Sequence, residues 1–298
     1  STVPAGEGFS KSAKVSITTA ENSVADNEIF RILHRIEGQN IQQASWGTSG
    51  AKPLTLSFFV RSNVTGTYAV EFRMNAGGSN SLSKTYTINS ADTWERKTIT
   101  FPANTSTNFN NASSEGCELG WYLAAGANYT SGSLATNYGA NAQNTRAAGQ
   151  TANLASSNSN TWYITGVQLE VGEQATPFEH RSLHQEQYDC FRYFRRYSHT
   201  SGAYGPSIRG VYNGTTQVIG VHEHNPPMRA GATFSYSQLS DFDLEPFDVA
   251  PSAMTTFSAA NTTHHSITAT DPSARTRGFS AEITCDVAGG YYQFDAEL

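Results

Sequence analysis

The stretch Trp162-Tyr163-Ile164-Thr165-Gly166-Val167-Gln168-Leu169-Glu170-Val171-Gly172, continued by Ala175-Thr176-Pro177-Phe178-Glu179-His180-Arg181-Ser182, joins an alternating strand to a capped helix. Side chains of an extended backbone point alternately to opposite faces. Tyr163, Thr165, Val167, Leu169 and Val171 therefore fall on one side, and Ile164, Gly166, Gln168 and Glu170 on the other. One side is mostly apolar and the other mixed, the pattern of a half-buried strand. Pro177 lacks a backbone donor and stops the hydrogen-bond ladder. Ser182 is placed to cap a helix, with Gln185 three positions on reaching back in a capping-box arrangement. Cys190, Tyr193, Phe194 and Tyr197 follow at i, i+3, i+4 and i+7, which predicts a linking helix over 182–198 with an apolar stripe. Arg192, Arg195 and Arg196 complement the negative end of its dipole. Such a helix is expected to pack between domains or against a neighbouring chain.

Outward from this segment, apolar and β-branched runs of strand length recur at Ala13–Thr18, Ile29–Ile36, Leu54–Arg61, Thr67–Met74, Leu82–Ile88, Trp94–Phe101 and Cys117–Leu123. Turn chemistry such as Asn75-Ala76-Gly77-Gly78 and Asn89-Ser90-Ala91-Asp92 separates them, the spacing of an all-β sandwich or barrel. About eight strands over 1–181 predict a two-sheet jelly roll. One long irregular stretch, 124–160, is rich in Asn, Ser, Gly and Ala; loops of that size are usually functional or disordered. Beyond the helix, 203–212, 216–222, 232–237, 254–259, 266–270, 279–287 and 291–298 predict a second, smaller β-sandwich over 199–298.

A chain of 298 residues has room for two domains. Charged residues make up only 15% of it, well under the usual quarter, so its surface is expected to be neutral and hydrogen-bonding. The net charge of -6 and a pI near 5.7 disfavour nucleic acid and anionic membranes as partners, because no basic surface is available to release counterions. Cys117, Cys190 and Cys285 are odd in number and far apart, which predicts packed free thiols rather than a disulfide framework or a zinc site. No apolar run is long enough for a membrane helix and no signal peptide is evident. The chain starts at Ser1 rather than Met, as a fragment or a processed product would.

The Gly166-to-Glu179 signature resembles the end of the sandwich domain in bacteriophage tail fibres. Further segments carry the same resemblance: Arg35-Ile36-Glu37-Gly38-Gln39-Asn40, Leu56-Ser57-Phe58-Phe59-Val60-Arg61-Ser62, Thr93-Trp94-Glu95-Arg96-Lys97-Thr98-Ile99-Thr100, and Gly120 through Gly126. These are similar to the carbohydrate-binding-module-like domain of phage and prophage fibres. Asn225-Pro226-Pro227-Met228-Arg229-Ala230 and Phe294-Asp295-Ala296-Glu297-Leu298 are similar to the distal tip domain that ends many such fibres, which would make Leu298 the natural end. The resemblance implies a homotrimeric, non-catalytic receptor-binding protein on the virion, joined to upstream tail proteins, that holds host cell-surface glycan and needs no cofactor.

Sugars are gripped by aromatic faces and by planar amides and carboxylates. The expected glycan site is Trp46, Trp121, Tyr122, Tyr129 and Tyr138, with Asn128, Asn137, Asn141 and Gln143 as polar partners in the long loop. Tyr129 and Tyr138 lead this set, since an aromatic in a Gly- and Asn-rich loop has little core to fill. Trp121 lies in a strand, where burial competes with binding, and Trp94 and Trp162 are assigned to the core. His222 and His224 flank Glu223 so that both imidazoles project from one strand face. Three such pairs around a trimer axis would surround a structural metal ion; exposed strand histidines are the competing reading. Asp241, Asp243, Glu245 and Asp248 alternate with apolar residues as an edge segment with a solvated face would. No nucleophile elbow, phosphate loop or zinc-protease helix is present. The alternatives to an adhesin are a polysaccharide-degrading tailspike module, which needs a convergent carboxylate pair, and a purely structural fibre or decoration protein.

Overall fold

A computed structural model describes residues 2–74, 80–140, 142–201, 205–256 and 261–297, and the chain divides into two compact units, Ser1–His180 and Arg181–Leu298. Both are all-β. The first contains β1 (Ala13–Ser16), β2 (Ile29–Glu37), β3 (Leu54–Ser62), β4 (Gly66–Met74), β5 (Asn80–Ile88), β6 (Glu95–Phe101), β7 (Glu115–Ala125), a one-turn α1 (Ala127–Thr130), β8 (Gly139–Ala140) and β9 (Thr161–Val171). These form a jelly-roll sandwich of a four-stranded sheet, β1-β9-β3-β6, and a five-stranded sheet, β2-β7-β4-β5-β8, with every pairing antiparallel. Leu54, Leu56, Phe58 and Val60 from one sheet and Tyr68, Val70, Phe72 and Leu119 from the other supply the shared core. Strict alternation puts the residues between them on the two outer faces.

The signature strand departs from simple alternation. Ser57 pairs with Gln168 but Phe59 pairs with Thr165, so Gly166 and Val167 together oppose Phe58. Gly166 has φ +59°, the left-handed conformation that glycine takes without a Cβ penalty at the first position of a bulge. The extra residue reverses the phase. Trp162 and Ile164 face the core before the bulge and Leu169 and Val171 after it, while Tyr163 and Thr165 are turned outward. Beyond the strand, Glu170 accepts from both the backbone N–H and the hydroxyl of Thr176, and Gln168 accepts from the Glu179 N–H at 2.8 Å. The Gln-x-Glu and Thr-Pro-Phe-Glu pieces of the signature are thus two halves of one clasp. Phe178 closes it against Phe9, ring centroids 5.0 Å apart.

The second unit opens with α2 (Leu183–Cys190), capped by Ser182 Oγ, which accepts from the Gln185 N–H at 3.2 Å. The Gln185 side chain donates to Asp189 instead of returning to the cap. Contrary to the helix expected over 182–198, residues Phe194–Ser198 form β10, which pairs with the C-terminal strand from Phe194↔Asp295 to Ser198↔Tyr291. Aromatic residues suit a pleated surface, and a long-range partner strand outweighs the local helical period. α2 buries none of its residues, and Cys190 is exposed, whereas Cys117 and Cys285 are buried thiols.

The other strands are β11 (Ser207–Tyr212), β12 (Gln217–Glu223), β13 (Thr233–Tyr236), β14 (Phe242–Glu245), β15 (Ala253–Thr256), β16 (His264–Thr270), β17 (Ser280–Cys285) and β18 (Tyr291–Asp295). They form a three-stranded sheet, β10-β18-β13, and a six-stranded sheet, β14-β17-β11-β12-β16-β15, around a core that includes Ile208, Tyr212, Phe242, Ile267, Ile283 and Phe294. β14 is an edge strand with Phe242 and Leu244 buried and Asp243 and Glu245 on the partly exposed face, as the alternation implies, but Asp241, expected on that solvated face, is buried in the preceding turn and accepts from Ser237 Oγ and Gln238 Nε2.

Candidate functional site: a charged platform on the five-stranded sheet

The irregular stretch after β7 is a packed cover over part of the outer face of the five-stranded sheet. Thr151 and Ala152 N–H groups donate to Thr67 O, Ser83 Oγ donates to Arg146 O, and the Ala69 N–H donates to Gln150 Oε1. Beneath this cover Tyr122 packs with Ala69, Ala147, Ile29 and Tyr129.

The residues expected to hold glycan do not converge. Trp46, Trp121 and Tyr122 are 3%, 2% and 0% exposed. Trp46 stacks on Phe109 at 4.9 Å and Trp121 meets Phe58 edge-on, so these rings fill space between elements and leave no face for a pyranose. Tyr138 is half-buried and packs edge-on against Trp46 at 5.1 Å, its hydroxyl shut away and burial holding its pKa high. Tyr129 is half-buried with the Arg146 guanidinium over its ring at 5.9 Å. Asn128, Asn137 and Gln143 are exposed, and Asn141 lies outside the described residues.

The structure instead brings together charged residues that reside at alternate positions in apolar strands. β2 presents Arg31 and Arg35, β7 presents Glu118 and Tyr122, and β4 presents Glu71 and Arg73, with registers Arg31↔Tyr122, Arg35↔Glu118, Glu71↔Gly120 and Arg73↔Glu118. Gly120 lies at the centre. A Cβ there would stand 3.2 Å from Leu33 Cδ2, a tight approach, and in ordinary contact with Arg31 Nη1 at 3.5 Å. Arg31 crosses the strand here to reach Glu118 at 3.2 Å and Glu71 at 3.5 Å.

Glu71 also receives Arg146 Nη2 at 2.9 Å and the Tyr122 hydroxyl at 2.7 Å, and Glu118 lies 3.1 Å from Arg73 Nε. Both carboxylates are 1% exposed, while Arg73 and Arg35 keep 23% and 40% of their side-chain surface. Burial opposes charge on Arg146, but its hydrogen bond to Glu71 prevails and raises its pKa. Burial, and secondarily the charge of Glu71, raises that of Tyr122. Arg31, Arg35, Arg73 and Arg146 face Glu71, Glu118 and Glu115, so the platform carries one more cation than anion. Glu71 and Glu118 are sealed, Glu115 is partly exposed, and the Arg35 and Arg73 side chains reach the surface, which suits hydrogen bonding to hydroxyl-rich ligands. The sequence signal that marks it is charge at period-two positions inside strands that are otherwise apolar.

The expected metal ligands in the second unit lie inward. His222 stacks on Phe294 at 4.9 Å and His224 meets the same ring at 4.6 Å. His265 Nε2 is 3.0 Å from Ala232 O, which accepts its proton, so His265 Nδ1 accepts from His224 Nε2 at 2.7 Å. The His-x-His pair therefore faces the sandwich interior, not an outer surface where a trimer axis would lie. Among the described residues no three His, Cys, Asp or Glu side chains are arranged to hold a metal ion.

No protein-family model and no curated protein matches the chain. Among solved structures it is similar to a family 16 carbohydrate-binding module, with a TM-score of 0.28 and 9% identity over 56% of this chain and 80% of that one. It is also similar to structures of red clover necrotic mosaic virus (TM-score 0.19, 9% identity, 98% and 90% covered) and melon necrotic spot virus (0.16, 10%, 96% and 96%). Similarities of this size carry no functional argument.

Proposed function

We propose that the chain is the receptor-binding end of a bacteriophage tail fibre, a homotrimeric adhesin that holds host cell-surface glycan on the charged platform without chemistry of its own. The observation that carries this reading is the platform's layering, with donors outward and carboxylates buried beneath them. A glycoside hydrolase needs two acids presented to the scissile bond, one of them able to donate a proton. Glu71 and Glu118 are instead engaged by arginines. The motifs shared with fibre sandwiches support the virion setting, and weak single sites multiplied across a trimer suit adhesion.

The test is a glycan array with the purified chain, followed by Arg73→Gln and a search for released reducing ends. Loss of one guanidinium contact to a bound ligand is expected to weaken retention by about tenfold to a hundredfold. Turnover of a bound polysaccharide would replace the adhesin with a degrading module. Unchanged retention in Arg73→Gln would remove the platform from the binding surface.

A further inference from the structure

The bulge at Gly166 has a consequence on the opposite side of the sandwich. By turning Tyr163 outward it completes a row across all strands of the four-stranded sheet: Lys14 pairs with Tyr163, Tyr163 with Arg61, and Trp94 immediately precedes Glu95, the partner of Val60. The row alternates cation and ring. Lys14 Nζ is 5.6 Å and Arg61 Cζ 5.1 Å from the Tyr163 centroid, and the Trp94 and Tyr163 rings meet edge-on at 6.2 Å. Three inter-strand gaps make it about 14 Å long.

Asp92 holds the Arg61 fork in place, its side chain accepting from Nη2 and its carbonyl from Nε, each at 2.8 Å. Trp94, assigned to the core on sequence, is only partly buried, and Lys14 is exposed. Neither Tyr163 nor Trp94 belongs to the core cluster of this unit.

We infer that this row is a second ligand platform, separate from the arginine platform on the other sheet, and that it takes a carboxylate-bearing saccharide of the uronate class. Trp94 offers apolar ring surface to sugar C–H groups, Tyr163 backs the row with Lys14 Nζ and Arg61 Cζ over its ring, and Lys14 offers charge to a carboxylate two strand spacings, about 10 Å, from the Arg61 fork that Asp92 holds. The chain's acidic balance argues against nucleic acid here, because a short basic row in a chain of net charge -6 releases few counterions.

Trp94 makes the inference measurable, since Trp46, Trp121 and Trp162 are all at most 3% exposed. Titration of the whole chain with an oligogalacturonate should give a saturable change in tryptophan emission that weakens with added salt. A neutral oligoglucoside and a sulfated oligosaccharide of equal length should give at most a tenth of that affinity. Lys14→Gln, an exposed change that leaves the core intact, and Tyr163→Ala should each weaken binding about tenfold, whereas Arg73→Gln should leave it unchanged. A silent titration, or one that survives both row variants, overturns the second platform. Equal response to the neutral or sulfated sugar overturns its carboxylate preference. Loss with Arg73→Gln alone assigns the ligand to the first platform, so the two readings fail separately.

Discussion

Each unit of this chain buries a polar cluster, and the two clusters are stabilised by opposite devices. In the first, Glu71 and Glu118 are paired beneath a lattice of arginines, which keep part of their surface in solvent. In the second, His222, His224 and His265 are packed around Phe294, with burial pushing all three pKa values down. A buried carboxylate without a cation is costly, whereas an imidazole can avoid the cost by shedding its proton. The contrast separates a surface that can bind from an interior that only packs. Arginine N–H groups at the rim of the first cluster are offered outward, and the histidine rings of the second are aimed at an aromatic core.

The sharpest way to break the comparison is Glu71→Gln. It leaves Arg146 and the Tyr122 hydroxyl facing a neutral amide in a sealed position, and losing one partner of such a pair costs about 3–5 kcal/mol. Urea unfolding of the variant measures it, and a loss under about 1 kcal/mol would mean that packing rather than charge holds the cover over the sheet.

Acid should act on the other cluster. Burial first, then the charges of Arg195 and the neighbouring imidazoles, lowers His222 to about 4 and His224 to about 3, while His264 adds repulsion on His224 and His265. These groups bind protons more readily when unfolded. Their contribution to stability is complete above pH ~6.5 and is lost as pH falls through the window down to about 4 and then 3. The loss is about 1.4 kcal/mol per pH unit for each histidine in that window. Amide hydrogen exchange in β12 and β16 should accelerate accordingly between pH 6.5 and 4.5, after correction for intrinsic rates. A flat corrected profile would show the rings protonated at no cost, contradicting their enclosure.

Much of the strand placement was legible because Leu54–Ser62 and Gly66–Met74 carry apolar residues at period two, which is a local property. The failures share a cause in long-range pairing. Phe194–Ser198 reads as helix until β18 is beside it, and Tyr163 reads as one continuous face with Val171 until Phe58 is set opposite two residues. The platform was missed for the same reason, since Arg146 and Glu71 are 75 positions apart. The expected aromatic residues do not converge because the loop that carries Tyr129 and Tyr138 packs on its own side chains and on the sheet, leaving both rings half-buried.

A smaller change sharpens the account of the first cluster. Tyr122→Phe removes the hydroxyl that donates to Glu71 at 2.7 Å and alters nothing else in volume or packing. Hydrogen bonds to charged groups are worth ~1.5–3 kcal/mol, but Glu71 keeps its Arg146 donors, so the expected loss is about 1 kcal/mol. Because the phenol lies under the cover rather than at the rim, glycan retention should persist in this variant while Arg73→Gln reduces it. A loss of retention with stability intact would move the binding surface beneath residues 146–152, and would require that cover to open before ligand enters.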